Sequence, residues 1–488
     1  MSSSQATISQ VTSGIPGLDE LLRGGYVYGR MYLISGGPGT GKTTLGMHFL
    51  ETGLANEETV LVVHGEESPE EIQANAAQFN INLDEASFLD LGPDSDFFTD
   101  DPSYNLVDPS EIEEKRHTQQ IHDAIREIDP SRIVIDPITQ LRYIERSDYH
   151  YRKRMLSFLR FLKGRGITVL ATATEGPASG NHTEIRSVSD GVIELSRVDG
   201  GRRVEVQKNR GIGQVDGDHG LEIRSNGIEV FPKVVPETAE SSFDPRQITS
   251  GISELDALVG GGFEQGTVTF ISGPPGVGKT TLSTLFLANA AGESGRSVIY
   301  LFEERMATFL HRCRSIGIPV KQLRDEDVLA VRVIEPQTLS SEEFAHHVRN
   351  EVEEHGAETI LIDGLGGYAS SIKGHQEALE DELHRLTRYL INREASVFVT
   401  DAIHQITGLS SATSRQISPI ADNLMFLSYV ELHGSLRKVV GVLKKRAGSF
   451  EYTLREFEIT ADGIRVGEPM SQYQGLLQGV PTGSDRNS

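Results

Sequence analysis

The 488-residue chain is 37% hydrophobic and 24% charged, a globular composition too long for one ordinary core, so two or three domains are expected. No run approaches the ~18–20 apolar residues of a membrane span, "MSSSQATISQ", with neither a basic flank nor an apolar run, is not expected to be a signal peptide, and the single Cys313 permits no internal disulfide, so a reduced cytoplasm is expected. A net charge of −24 argues against a large nucleic-acid footprint, and 12 Lys beside 34 Arg with no Trp suggest a protein of a high-salt cytoplasm, where screening weakens acidic self-repulsion.

The first strong strand signal, "RMYLIS", runs straight into a glycine-rich loop. Gly36, Gly37, Pro38, Gly39, Thr40, Gly41, Lys42, Thr43 and Thr44 satisfy G-x-x-x-x-G-K-[ST] between an apolar strand and a helix-like segment. Such a loop lets backbone N–H groups close on phosphate, and the helix N-terminus adds partial positive charge. Lys42 would reach the β/γ-phosphates of ATP, and Thr43 would place its hydroxyl on Mg²⁺. The next strand, "TVLVVH", ends at the pair Glu66 and Glu67, which begins 24 residues after Lys42. One carboxylate can orient or deprotonate an attacking water while the other holds its geometry. After the acidic, Pro-rich "LGPDSDFFTDDPSYNLVDPSE" and the helix-like "SEIEEKRHTQQIHDAIREI" comes "RIVIDP". It sets Asp136 at the C-terminal end of a strand, where an α/β sheet places ligands and where it can support Mg²⁺. The helix-like "KRMLSFLRFLKGRG" and the strand "TVLATA" follow. Then "VEVQKNRG" would present Lys208 and Arg210 on one face of a strand, a cation pair suited to phosphate.

The second half repeats the first. Residues 11–45 and 248–282 align without a gap at an offset of 237, with 20 identities in 35. The second loop is Gly273, Pro274, Pro275, Gly276, Val277, Gly278, Lys279, Thr280 and Thr281. Glu303 and Glu304 keep the same offset; Asp363 matches Asp136 at 227, so the first half carries 10 extra residues in its acidic stretch. Lys444 and Arg446 match Lys208 and Arg210 at 236. Taken singly, an acid pair, a strand-end Asp or a Lys-x-Arg strand is common on an acidic protein's surface; their repetition in register favours two sites. The expected architecture is α/β: two tandem RecA-like P-loop domains, 1–235 and 248–468, each with a mostly parallel sheet flanked by helices. A polar linker at 236–247 and a loose tail at 469–488 complete it.

Together these features resemble the KaiC family of RecA-like ATPases, over residues 11 to about 468. The likeness rests on "TSG", "LD" and "GG" before each P-loop, the doubled Glu, the strand-end Asp, the K-x-R strand and "YVELHGSLRKVVGVLKKRAGSFEYTLREFEIT". It implies a cytoplasmic hexameric ring that binds ATP between subunits, with Glu66/Glu67 and Glu303/Glu304 catalytic and Lys208, Arg210, Lys444 and Arg446 reaching a neighbour's site. It also implies a regulatory role with an unnamed signalling partner, no membrane, and self-phosphorylation in the second domain. Here the sequence departs from the family. In "TSRQISPIADNLMFLSYVEL", Ser418 takes the first phosphosite but Pro419 replaces the acceptor threonine, so a two-site Ser/Thr cycle cannot run. Ser418 phosphorylation stays open, with Thr413 and Ser414 nearby. Two other readings share the fold: a DNA-handling RecA-type ATPase, and a nucleotide-gated assembly module with incidental turnover. The first requires basic or aromatic DNA loops, whereas "EGPASGNHTEIRS" is nearly neutral.

Overall fold

Each half of the chain folds around a nine-stranded sheet, and the two sheets share one strand order. The computed structural model describes residues 8–65, 67–90, 122–139, 148–174, 183–198, 201–236, 246–293, 295–372, 376–403, 420–478 and 482–483. The chain divides into Met1–Lys233 and Val234–Ser488.

We number only the strands of the two large sheets. In the first unit they are β1 (Met31–Gly36), β2 (Val60–His64), β3 (Ser87–Asp90), β4 (Arg132–Asp136), β5 (Thr168–Thr174), β6 (Gly191–Val198), β7 (Gly201–Asn209), β8 (Asp218–Arg224) and β9 (Gly227–Phe231). Their spatial order is β3-β2-β4-β5-β1-β6-β7-β8-β9. In the second unit they are β10 (Val268–Gly273), β11 (Arg296–Leu301), β12 (Leu329–Val333), β13 (Ala357–Asp363), β14 (Ser396–Ala402), β15 (Asn423–Leu432), β16 (Ser435–Lys445), β17 (Arg455–Thr460) and β18 (Gly463–Pro469). Their order, β12-β11-β13-β14-β10-β15-β16-β17-β18, repeats the first step for step.

β1 to β6 and β10 to β15 are parallel. β1 and β10 are buried along their whole length, as expected of strands covered on both faces. Alternation then splits each core in two. Ile34, Val62 and Val134 pack with Leu45 and Phe49 on one face, while Leu33, Leu61 and Ile133 pack with Leu162 on the other. In the second unit, Ile271, Ile299 and Leu361 meet Leu282 and Phe286, whereas Phe270, Val298 and Ile360 meet Leu386.

The last four strands of each sheet form an antiparallel meander. Two-residue turns, Ser225-Asn226 and Ala461-Asp462, join its final pairs. Connections that short can only make hairpins. The stretch expected as a loose tail is packed at its start. Met470 and Leu476 are buried with Val430, Leu432 and Val439, and Tyr473–Gln474 pairs with Thr482–Gly483. Apolar residues at 470, 473 and 476 supply the anchoring the Gly/Ser/Gln composition obscured.

Candidate functional site

The phosphate loops join β1 to helix α1 (Lys42–Ala55) and β10 to helix α2 (Lys279–Glu293). Two glycines in each are required by close approach. A Cβ at Gly36 would lie 2.2 Å from the Leu195 carbonyl oxygen of β6, and one at Gly273 would lie 2.5 Å from that of Leu427. Gly41 and Gly278 have φ of 106° and 119°, and a Cβ there would strike Ile223 at 2.9 Å and Ile459 at 2.7 Å. The meander strands therefore brace the loop from behind.

Both lysines fold over their loops. Lys42 Nζ donates to the Gly36 and Gly37 carbonyls at 2.9 Å each, and Lys279 Nζ to those of Gly273 and Pro274 at 2.8 and 3.0 Å. The ammonium thus already stands over the hollow a phosphate would fill. Burial pushes the Lys279 amine below its ordinary value, while the carboxylates of Asp363, Asp401 and Glu303 pull it back up.

The strand-end acids sit beside the loop threonines. In the second site, Thr280 Oγ1 donates to Asp363 Oδ1 at 2.9 Å, and Thr400 Oγ1 donates to the same oxygen at 2.6 Å. Burial raises the Asp363 carboxyl, and the two hydroxyls oppose that rise. In the first site, Thr172 donates to Asp136 Oδ1. Thr43, Asp136, His64 and Glu67 line one cavity against Met47 and Val134. Among the described residues no cluster of three or more His, Cys, Asp or Glu could hold a metal by itself. A hydroxyl and a carboxylate per site fit Mg²⁺, which takes few protein oxygens and completes its shell with phosphate and water.

The glutamate pairs are not uniform. Glu66 lies outside the described residues. Asn75 Nδ2 donates to Glu67 Oε2 at 3.2 Å. Glu304 is gripped by Arg312 through Nη2–Oε2 at 2.6 Å and Nε–Oε1 at 3.4 Å, and Arg312 Nη1 also donates to Thr281 Oγ1 at 2.6 Å. Glu303 is exposed and makes no hydrogen bond among the described residues. A Cβ at Gly367 would lie 2.7 Å from its Cγ, so this glycine makes room for it. Asn75 and Arg312 escaped the sequence reading; the available signal was their shared spacing, eight residues after Glu67 and Glu304. Asp401 escaped it too. It is 1% exposed on β14 opposite Ser272, where the first unit pairs Ala173 with Ser35.

The Lys-x-Arg strands differ from expectation in their geometry. β7 ends at Asn209 and β16 at Lys445, so Arg210 and Arg446 lie just beyond the strands. The register skips Gln207 and Leu443, a bulge that re-aims the adjoining lysine. Lys208 Nζ donates to the carbonyls of Arg186 at 3.1 Å and Ser189 at 2.6 Å, at the end of the helix Thr183–Val188. Lys444 Nζ donates to Ala421 O at 2.5 Å. Arg446 pairs with Asp422 at 2.7 Å, whereas Arg210 stands 4.0 Å from Asp190.

A family model described as "ATPase: KaiC" matches residues 11–235 and again 248–471. The chain belongs to the KaiC ATPase family. A circadian clock oscillator protein KaiC of Parasynechococcus marenigrum is 30% identical over 98% of this chain and 94% of its own length. Proteins of the same name from Prochlorococcus marinus and Thermostichus vulcanus are 28% and 29% identical, each over 98% of this chain and 97% and 93% of their own lengths. The chain is thus a KaiC-like, ATP-binding protein of the ATPase class, with the family's domain occurring twice. Thr413, Ser414, Ser418 and Pro419 lie outside the described residues. Among the described residues no helix is long and apolar enough to cross a membrane.

Proposed function

We propose that both P-loops bind ATP with Mg²⁺ and hydrolyse it, and that turnover sets the regulatory state of a cytoplasmic KaiC-like protein. The observation that carries this is the second site's Thr280–Asp363–Thr400 chain beside a lysine folded onto its own loop. Lys42 and Lys279 meet the phosphates, Thr43 with Asp136 and Thr280 with Asp363 hold the cation, and backbone N–H groups of Gly36–Thr44 and Gly273–Thr281 cradle the oxygens. When bound, Mg²⁺ supplies charge neutralisation between phosphates. Glu303 orients or deprotonates the attacking water, and Glu304, fixed by Arg312, keeps it in place; Glu66 and Glu67 divide the work in the first site. The double variant Lys42→Ala/Lys279→Ala is expected to lose ATP turnover. Wild-type turnover in that variant would sink the assignment.

Further parts of this reading rest on family membership. The protein assembles as a homo-oligomeric ring, six subunits by resemblance, in which Lys208/Arg210 and Lys444/Arg446 leave their intramolecular acceptors for a neighbour's phosphates. Light scattering with and without ATP tests the ring. Ser418 accepts phosphate in the second domain. Mass spectrometry after incubation with ATP and Mg²⁺ tests this: phosphate on Ser418 that disappears in Lys279→Ala marks an autokinase, and hydrolysis without phosphoprotein leaves an ATPase alone.

A further inference from the structure

His64 is the last residue of β2, and alternation puts it on the sheet face of Val60 and Val62. Its Cα partner across the sheet is Asp136, the strand-end acid. The imidazole is 3% exposed and lines the cavity that Thr43, Glu67 and Asp136 also line. Nδ1 stands 3.9 Å from Oδ1 of the half-exposed Asp90. Nε2, across the ring, is buried and has no hydrogen-bond partner among the described residues.

An unpartnered buried ring nitrogen costs free energy, so packing does not explain it. The second unit shows that packing does not require it either. The residue in register there is Leu301, fully buried in an apolar core. The histidine therefore brings to the first site a polar atom that the second lacks.

We propose that His64 is a positioning residue of the first site, its Nε2 accepting a hydrogen bond from a water in the coordination shell of the nucleotide's Mg²⁺. This rests on the phosphate-site reading above. The groups that share the cavity dictate the polarity. With the imidazole proton on Nδ1, facing Asp90, the ionised Glu67 and Asp136 offer Nε2 no donor, and the cavity's one side-chain hydroxyl, that of Thr43, makes no hydrogen bond to it. A metal-bound water carries two protons. One can go to the Asp136 carboxylate and the other to Nε2, with the imidazole proton on Nδ1 facing Asp90. His64 and Asp136 would then hold one water from adjacent strands, which fixes the cation relative to Thr43. The first site should bind Mg²⁺·nucleotide with a contact the second cannot make.

The test uses the full chain carrying Lys279→Ala, so that only the first site is read, with a fluorescent ADP analogue as probe. ADP affinity is measured in EDTA and as a function of Mg²⁺ concentration. His64→Leu and His64→Phe are expected to raise the Mg²⁺ concentration needed for half-maximal tightening about tenfold, leaving ADP affinity in EDTA within twofold. His64→Gln, whose side-chain amide reaches the Nε2 position, is expected to stay within about threefold of the unmutated site. A wild-type Mg²⁺ requirement in the Leu and Phe variants overturns the proposal. So does their loss of ADP binding in EDTA, which would make His64 a packing residue. Adding Lys42→Ala must abolish probe binding; if it does not, the phosphate-site reading itself fails, and the role of His64 with it.

Discussion

Arg312 holds Glu304 through two nitrogens and Thr281 through a third, whereas Asn75 offers Glu67 a single neutral hydrogen bond at 3.2 Å. Charge-assisted bonds are worth about 1.5–3 kcal/mol against about 0.5–1.5 for neutral ones. Arg312→Ala in a Lys42→Ala background should therefore lower kcat about tenfold with KM for ATP nearly unchanged. Asn75→Ala in a Lys279→Ala background should cost less than threefold. Equal losses would show that the grip on the second glutamate does not set the rate. His48 adds a dependence on pH. It is 7% exposed on α1, its Nε2 accepts the Ile228 N–H at 2.9 Å, and burial holds the imidazole below its ordinary value. Folding then favours the neutral ring, so its contribution is present above the unfolded value of about 6.5 and is lost as pH falls through the lower folded value. The first unit should melt progressively earlier between pH 7.5 and 5. His48→Leu should cost about 1–3 kcal/mol at pH 7.5 by orphaning that N–H, and it should flatten the pH response. The phosphate-loop residues were legible because their chemistry needs a fixed local spacing. His48 was not, because its partner Ile228 is brought near only by the folded chain, and Asn75 and Arg312, eight residues after their glutamates, were missed because Asn and Arg at that spacing share no residue type that marks the role.

Four strands of each parallel half, β1, β2, β4 and β5 with their counterparts β10, β11, β13 and β14, were legible as short apolar runs covered on both faces, whereas the edge strands β3 and β12, less completely buried, were not. The Lys-x-Arg strands were misjudged in geometry because a one-residue bulge at Gln207 or Leu443 leaves no mark on the pattern of residue types. The loop glycines can be ranked by what surrounds them. Gly36 meets a backbone carbonyl at 2.2 Å, fixed by its pairing with Leu195 across β1 and β6. Gly39 has φ 69° but no atom within 4 Å of an added Cβ. Gly36→Ala must push two bonded strands apart, while Gly39→Ala pays only the left-handed backbone cost of about 1–2 kcal/mol. Thermal unfolding without nucleotide should show the larger drop for Gly36→Ala, and ATP should restabilise Gly39→Ala but not Gly36→Ala. A larger loss for Gly39→Ala would refute the bracing of the loop by β6.

At the scale of the whole chain, duplication was legible in the ungapped match of residues 11–45 with 248–282, and it carried over into two sheets of identical order. The differences now lie in single exchanges at matched positions: His64 for Leu301, Asn75 for Arg312, Ala173 for Asp401 and His48 for Leu285. With a net −24, long-range repulsion acts on the folded chain more than on the expanded one. Salt has two opposed effects. It weakens surface pairs such as Arg437–Glu456 at 3.1 Å and Arg465–Asp462 at 3.0 Å, each worth about 0–1 kcal/mol. It also shortens the Debye length from about 10 Å at 0.1 M to about 3 Å at 1 M, which removes repulsion between all uncompensated acids at once. With 70 acidic against 46 basic residues, the acids are in excess by 24, so relief of repulsion should win. Tm should rise between 0.1 and 1 M KCl and again, less steeply, to 2 M, with the first increment larger because screening saturates. Equal osmolarity of sucrose separates this from general exclusion at the surface, which would raise Tm without the early steepness. A Tm that falls over the first interval would mean that the ion pairs outweigh the net charge, and the high-salt reading of the composition would fall with it.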